Sequence, residues 1–510
     1  MPDPAAPRNR SVALVGAGAS GLCAARYFKE AGFEVTIYEI GTQVGGLWCF
    51  NNDNGLSSAY DTLHINTAKT LTNFSDFRFP PGTQPFPDHR DMHAYFERFV
   101  EHYGLRPLIR FSSRVTAIRP HQQQDGARAR WIVETDAANG GVFDAVIVAS
   151  GHLSKPLHVE RLAAFQGEYL HSHDYKAPEP FVGKRVCIVG VGNSACDIAS
   201  DLATVTPRTV IVARSGVRIA PKLLFGMPFT DVTSRLSHPL IPQWLGRAVT
   251  NALIRVIQGP MERLGFKPLK GRSHALSNAT IVQHIAYRRV EVKHDIEAVE
   301  GRTIGFSDGS KAEFDTLIAA TGYVIDLPFL SDSVMPVRDN CVELYNRIVP
   351  PDRPGLYFMG LLNLNGAANQ AYDRQAPWIV AMETGEAQLP SVDEMRGAIR
   401  RKAEWVRRHY PHTPRHTIEE EPIPYFRELR SSLRAARRRA DRSRPLDKAR
   451  SPSGLDAPPG ARATETVAIP VGPRASSPAL AKGEASTSGR SATETVAIPE
   501  ASPTGTGDER

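Results

Sequence analysis

Cysteine is scarce and unpatterned. The five cysteines in 510 residues (Cys23, Cys49, Cys187, Cys196 and Cys341) form no Cys-x-x-Cys and no Cys/His cluster at metal-ligand spacing. An odd, scattered set excludes a disulfide scaffold, a redox-active dithiol and a structural zinc site, and it fits a reducing compartment such as the cytoplasm. No stretch of 18 uninterrupted apolar residues exists, so no spanning helix is expected. Most of the chain has no excess of charge. Ten Lys and Arg against three Asp and Glu between Arg427 and Arg450 account for the whole net charge of +7. The remainder is neutral, which removes the compositional basis for a nucleic-acid groove. No Ser/His/Asp set or catalytic cysteine accompanies the motifs below, so reactivity must come from a bound group.

With 41% apolar and 23% charged residues, the composition is globular and the length suits several domains. Arg8 and Arg10 precede the apolar run Val12 to Ala25, a superficial likeness to a signal peptide. That run, however, carries three glycines spaced for another purpose. It opens SVALVGAGASGLCAARYFKEAGFEVTIYE, an apolar strand, a glycine turn, an amphipathic helix and a strand ending in an acid. Further on, KRVCIVGVGNSACDIASDLATVTPRTVIVARSG repeats the series but ends in Arg214. Each half closes on a similar strand and turn, DAVIVASGH at Asp144 to His152 and DTLIAATGY at Asp315 to Tyr323. The interval from Gly16 to Gly151 is 135 residues and that from Gly190 to Gly322 is 132. The fold class expected is therefore α/β, with two Rossmann-like dinucleotide-binding domains of one design.

The glycines of GAGASG have separate tasks. Gly16 permits the tight turn, Gly18 lets backbone approach a pyrophosphate, and Gly21 lets the helix lie close to the strand. Ala17, Ala19 and Ser20 complete the cradle, where N–H groups at the helix start meet phosphate oxygens. Glu39, 23 residues after Gly16, is placed to accept from both ribose hydroxyls. The second turn, GVGNSA, contributes Gly190, Gly192, Asn193 and Ser194. Its distal residue is Arg214, 24 after Gly190, which with Ser215 could pair with a 2′-phosphate that an acid would repel. The first site should take FAD or NAD, and the second NADPH.

Four further signatures make the chain resemble the flavin-containing monooxygenases over roughly residues 9 to 430. FQGEYLHSHDYK matches the fingerprint FxGxxxHSxxY followed by Arg or Lys at Phe165, Gly167, His171, Ser172, Tyr175 and Lys176. After Glu39, GTQVGGLW is similar to the family's ExxxxxGGxW. The stretch YDTLHINTAKTLTNFSDFRFP is similar to its flavin-contacting segment around an Asn-Thr pair. The ATGY at Ala320 to Tyr323 resembles a second linker signature.

The resemblance implies FAD at the first site and NADPH at the second, with the NADPH domain inserted in a discontinuous FAD domain. The expected division is 9–177 for the first part of the FAD domain, 178–300 for the NADPH domain with an insertion, and 301–430 for the second FAD part. It also implies that reduced FAD captures O2 as a C4a-hydroperoxide and passes one oxygen to a soft nucleophile. Asn66 is the implied catalytic amide, also contacting cofactor. Gly46, Leu47, Trp48 and Thr67 would line the flavin. Gln375 resembles a flavin-side Gln of the family, although Pro377 stands where Arg is usual. The fingerprint residues read as packing and linker anchors, His171 among them. Tyr175 followed by Lys176 favours N- or S-oxygenation, or an indole-3-pyruvate-like reaction, over Baeyer-Villiger chemistry, whose fingerprint usually ends in Trp. An NADPH oxidase or redox sensor with the same cofactors stays open, as does a scaffold with degenerate sites.

The apolar segment Pro221 to Lys270 suits a substrate channel or a homodimer element. From about Ser431 the chain turns Arg-rich and then Ser/Pro/Ala-rich, so 431–510 is expected to be disordered. Deletion beyond residues 420–430 should then leave turnover intact. Within this tail ATETVAIP occurs at Ala463 to Pro470 and Ala492 to Pro499, either a bare duplication or a pair of docking segments for an unknown partner.

Overall fold

The computed structural model of the chain describes residues 10–121, 129–237, 242–272, 275–411, 413 and 416–443. The ATETVAIP repeats and the rest of 444–510 lie outside the described residues. In chain order the elements that position the sites are β1 (Ser11–Val15), α1 (Ala19–Glu30), β2 (Glu34–Tyr38), α2 (His89–His102), β3 (Ile109–Arg110), β4 (Ala145–Val148) and β5 (Glu168–His171). They continue with β6 (Arg185–Val189), α3 (Asn193–Leu202), β7 (Arg208–Val212), β8 (Val290–Lys293), β9 (Thr316–Ala319) and β10 (Leu356–Phe358). Three helices follow, α4 (Asn369–Glu383), α5 (Val392–His409) and α6 (Pro422–Ser443).

Two five-stranded sheets result, ordered β10-β4-β1-β2-β3 and β8-β7-β6-β9-β5, and every pairing in both is parallel. Strands covered on both faces need unbroken apolar runs, and four of the five residues of β1, β6 and β7 are buried. Alternation divides each strand between two cores. Val12, Leu14 and Ile37 join the helical layer, while Ala13, Val15, Val146 and Val148 meet Val115, Ile118 and Trp131. In the second half Val186, Ile188 and Ile211 join Ile198 and Ala199 of α3, and Cys187, Val189 and Val210 meet Ile304, Phe306 and Phe314. The residues opposite the helices belong to, or in the case of Phe314 directly follow, antiparallel triplets, Val115–His121, Arg130–Thr135 and Gly141–Phe143 in one half and Ile296–Glu300, Thr303–Phe306 and Lys311–Glu313 in the other. Each triplet feeds the closing strand of its own half.

The boundary expected at residue 300 is corrected by this pairing. It falls inside the hairpin that joins Ile296–Glu300 to Thr303–Phe306, and β9 pairs with β6, so the second half runs on to about residue 320. At the other end β5, assigned from sequence to the first half, pairs with β9 in the second sheet. The outgoing and returning linkers lie side by side, Pro156 opposite Tyr323 and Lys155 opposite Val324.

The tail expectation is also corrected. Helix α6 runs to Ser443 and buries Tyr425, Leu429, Ala436 and Ala440, apolar positions at helical spacing behind an arginine-covered outer face. Ser432 Oγ accepts from Trp378 Nε1 at 3.0 Å and Asn346 Nδ2 at 2.9 Å, and Tyr425 OH donates to Asn346 O at 2.9 Å. No described helix is long and apolar enough to cross a membrane.

A chain stopped at Arg430 should therefore be less stable than one stopped at Ser443, by about 3 kcal/mol for the lost side-chain burial and hydrogen bonds. Urea unfolding checks this; equal midpoints would mean that the last three turns of α6 contribute nothing.

Candidate functional site

At the carboxyl end of β1 the backbone turns with Gly16 at φ +105°, and a Cβ there would lie 2.8 Å from Ala149 O. Helix α1 presses on the same turn, since a Cβ on Gly21 would lie 1.9 Å from Gly16 O. Gly18 is different. Its backbone is extended, φ −77° and ψ −178°, and a Cβ would meet only Gly46 Cα at an ordinary 3.7 Å. Nothing in the fold requires glycine at 18, which suits a position where something outside the chain comes close. The second turn repeats the first constraint, with Gly190 at φ +126° and a Cβ that would lie 2.2 Å from Ala320 O. No side chain caps α1 or α3. Both helices thus present their first N–H groups and positive dipole ends at the carboxyl edge of a parallel sheet.

Glu39, 4% exposed, ties the first turn to the loop that follows β2. Its Oε2 accepts from Ala17 N at 2.8 Å and its Oε1 from Gly41 N at 2.9 Å. Burial raises its pKa while these backbone N–H groups oppose the rise. Oε1 also takes a long contact from Asn54 Nδ2 at 3.5 Å, so Oε2 is the oxygen with a lone pair left for a further donor. Gly45 N donates to Ala17 O at 3.0 Å, and a Cβ on Gly46 would lie 3.1 Å from Gly18 Cα, so loop and turn touch. Leu47 is exposed and Trp48 half-buried beside them. The other side of this loop borders a cavity of about 580 Å³, lined by Trp48, Phe50, His89 and His93. It includes neither glycine turn nor Asn66, so the uncapped helix starts, not that cavity, mark the candidate site.

Arg214 and Ser215 are exposed at the end of β7 and have no partner among the described residues. Arg218 is half-buried, and burial pushes its pKa down with no acid to oppose it. Asn193 Oδ1 accepts from Ser277 N at 3.1 Å within the fold, which leaves Nδ2 as the end of the amide turned to other partners. Ser194 remains at the start of α3. Gln375 is fully buried, accepting from Gly360 N at 3.1 Å and donating to Tyr425 OH at 2.7 Å, so its amide ties α4 to the turn after β10 and to α6. Thr67 Oγ1 lies 2.9 Å from Thr72 Oγ1, in a local turn.

Asn66 is half-buried, and its Oδ1 accepts from Lys222 Nζ at 2.9 Å. Sequence reasoning missed Lys222. It is 7% exposed, it also donates to Ile65 O at 3.1 Å, and burial pulls its pKa down to about 8 against the field of Asp197. The lone lysine in the apolar run IAPKLLFGMP was its one sequence signal.

A polar network joins the segment that carries Asn66 to α3. Asp197 accepts from Tyr60 OH and Asn278 Nδ2, each at 2.6 Å, and Asp201 accepts from Thr62 Oγ1 at 2.7 Å and Tyr175 OH at 3.1 Å. Lys176 Nζ donates to Ser57 O and Ala59 O at 2.8 and 3.0 Å. Two fingerprint residues thus act as ties between the halves. His171 is buried, and burial together with His158 holds its pKa down to about 4. It stays neutral at physiological pH. Among the described residues no three His, Cys, Asp or Glu gather as metal ligands.

Comparison with known proteins follows the same lines. The family model "FMO-like: Flavin-binding monooxygenase-like" matches residues 9–438. Flavin-containing monooxygenase 5 of Cavia porcellus is 33% identical over 443 residues, 82% of either chain. Flavin-containing monooxygenase 3 of Rattus norvegicus is 33% identical over 452 residues, 84% of this chain and 83% of that one. Among solved structures, S-allyl-L-cysteine S-oxygenase from Allium sativum superposes with a TM-score of 0.63 at 23% identity, over 85% of this chain and 92% of its own. An ε-caprolactone-bound cyclohexanone monooxygenase gives 0.61 at 16%, over 84% and 99%. The protein belongs to the flavin-binding monooxygenase family, an oxidoreductase class whose typical cofactors are FAD and NADPH.

Proposed function

We propose that the protein uses NADPH and FAD to insert one atom of O2 into a small soft nucleophile, a tertiary amine or a thioether, while the other atom leaves as water. The observation that carries this reading is the contrast between the two glycine turns. The first is followed by buried Glu39, which suits a plain ribose. The second is followed by Arg214, Ser215 and Arg218, which have no acid partner among the described residues and suit a 2′-phosphate. Gly18, which no protein contact requires, supports a pyrophosphate at the first turn.

Bound FAD would supply hydride acceptance and oxygen activation, chemistry that no side chain here provides. The chain's own share is position and protection. Gly16, Gly18 and the N–H groups of Ala19, Ser20 and Gly21 would hold one pyrophosphate, and Gly190, Gly192 and Ser194 the other. Gly46, Leu47, Trp48 and Thr67 would border the isoalloxazine. Asn66 would offer a neutral amide donor to the reacting oxygen. An amide can hydrogen-bond there without surrendering its proton, which matters where stray acid diverts reducing power to peroxide.

A visible spectrum followed by product analysis with amines, thioethers, indole acids and ketones tests the reading. A yellow protein whose NADPH consumption matches N-oxide or sulfoxide formation is the expected result. Lactones or esters from ketones would move it to Baeyer-Villiger chemistry, peroxide alone would make it an oxidase, and a colourless protein that takes up no FAD would end it. Arg214→Ala should raise KM for NADPH about tenfold and leave KM for NADH within about twofold, as for a partly exposed charge-assisted pair. Asn66→Ala should keep NADPH oxidation but lower product per NADPH about tenfold or more.

A further inference from the structure

The segment after the second glycine unit reaches across to the first half and binds it at successive points. Lys222 Nζ donates to Ile65 O at 3.1 Å and to Asn66 Oδ1 at 2.9 Å. Ala68 N donates to Thr230 Oγ1 at 3.0 Å, and Thr70 Oγ1 to Asp231 Oδ1 at 2.5 Å. Between Lys222 and Thr230 lies a hairpin, Leu223–Leu224 paired with Met227–Pro228, whose tip residue Phe225 is 92% exposed. The base of this hairpin is therefore fastened to residues 65–70 while its tip stands free.

An asparagine amide has an accepting end and a donating end, and nothing intrinsic to the side chain decides which faces a cleft. Here an ammonium on Oδ1 decides it. Lys222 can only donate, so the bond holds Asn66 with its oxygen turned to the lysine and leaves Nδ2 as the free end. The remaining face of the ammonium lies 5.0 Å from the centre of the Phe86 ring. Among the described residues Asp197 on α3 is the one charged group acting on it; Asp197 in turn is bound by Tyr60 and Asn278 and feels His64. No carboxylate among the described residues touches Lys222, and an ammonium buried this way is costly. Packing alone would be served better by methionine.

We propose that Lys222 is a positioning residue that fixes the orientation of the Asn66 amide, so that its NH2 group donates into the cleft. This rests on the role given above to Asn66. The insertion of the second half thereby supplies part of the first half's chemistry, and undocking of the hairpin base would release the amide.

The test compares wild type, Lys222→Met and Lys222→Arg as flavin-loaded proteins. Lys222→Met should bind FAD as wild type does and raise peroxide released per NADPH about tenfold, while Lys222→Arg, still a donor to Oδ1, should restore most of the coupling. Because Lys222 loses its proton near pH 8, wild-type coupling should fall above that pH, whereas Lys222→Arg should hold it to about pH 10. Melting without turnover gives a separate readout. With its folded pKa near 8, below the ordinary 10.5, the folded lysine holds fewer protons than the unfolded one between those values. Wild-type stability should then rise with pH across that window. Lys222→Met should melt higher than wild type at pH 7, with the gap closing by about pH 10. Wild-type coupling in a flavin-loaded Lys222→Met protein would overturn the proposal, and so would a Lys222→Met protein that melts lower at pH 7 and loses FAD, which would make Lys222 a structural tie. A wild type that makes only peroxide with every substrate would instead defeat the role given to Asn66.

Discussion

Two backbone turns have no room for a side chain, and the architecture follows from that constraint. At Gly16 and Gly190 the chain adopts a positive φ that L side chains rarely take, and an added Cβ would strike the carbonyl oxygen of Ala149 or Ala320. Those carbonyls directly follow β4 and β9, so each turn is locked only once that strand lies beside β1 or β6. The result is a pair of uncapped helix starts at the carboxyl edges of two parallel sheets, where N–H groups and helix dipoles favour phosphate. A local sequence requirement and a long-range pairing thus meet at the same few atoms.

The halves are joined by polar ties, buried or partly buried apart from the exposed Thr62–Asp201 pair, more than by a shared sheet. Asp197 and Asp201 on α3 hold Tyr60 and Thr62, Lys176 holds Ser57 and Ala59, and Lys222 holds Ile65 and Asn66. All of these converge on residues 57–66, the segment leading into the Asn-Thr pair. Buried polar groups of this kind are costly to leave unsatisfied, so they specify one docking geometry more sharply than apolar contact would. The fingerprint earlier in the chain acts through the same ties. Tyr175 binds Asp201, and the neutral, buried His171 packs beside the returning linker at Tyr323.

What could be read from the sequence was whatever depends on neighbours along the chain. The strand, turn and helix of each unit, the acid at 39 and the arginine at 214 all lie within two dozen residues of their glycines and carry their own periodicity. The limit at residue 300 was misplaced because β9 is recruited to the second sheet by pairing with β6, about 130 residues earlier, which no local pattern reports. Helix α6 was hidden by composition. Arginines crowd its outward face, while beyond Arg430 the inward face is marked by little more than Leu433, Ala436 and Ala440. The partners of the Gln375 amide, Gly360 and Tyr425, lie 15 and 50 residues away and leave no local pattern either. Lys222 was passed over because a lysine in an apolar run reads as a surface charge until a distant Asn66 is placed beside it.

The central claim is that the two glycine turns are two nucleotide sites with different ribose preferences. A crystal structure of the protein grown with both FAD and NADP+ tests it most directly. The account predicts one pyrophosphate at the start of α1 with its adenosine ribose against Glu39, and another at the start of α3 with its 2′-phosphate against Arg214. Finding NADP+ away from Arg214, or either helix start covered by protein with its dinucleotide bound elsewhere, would contradict it.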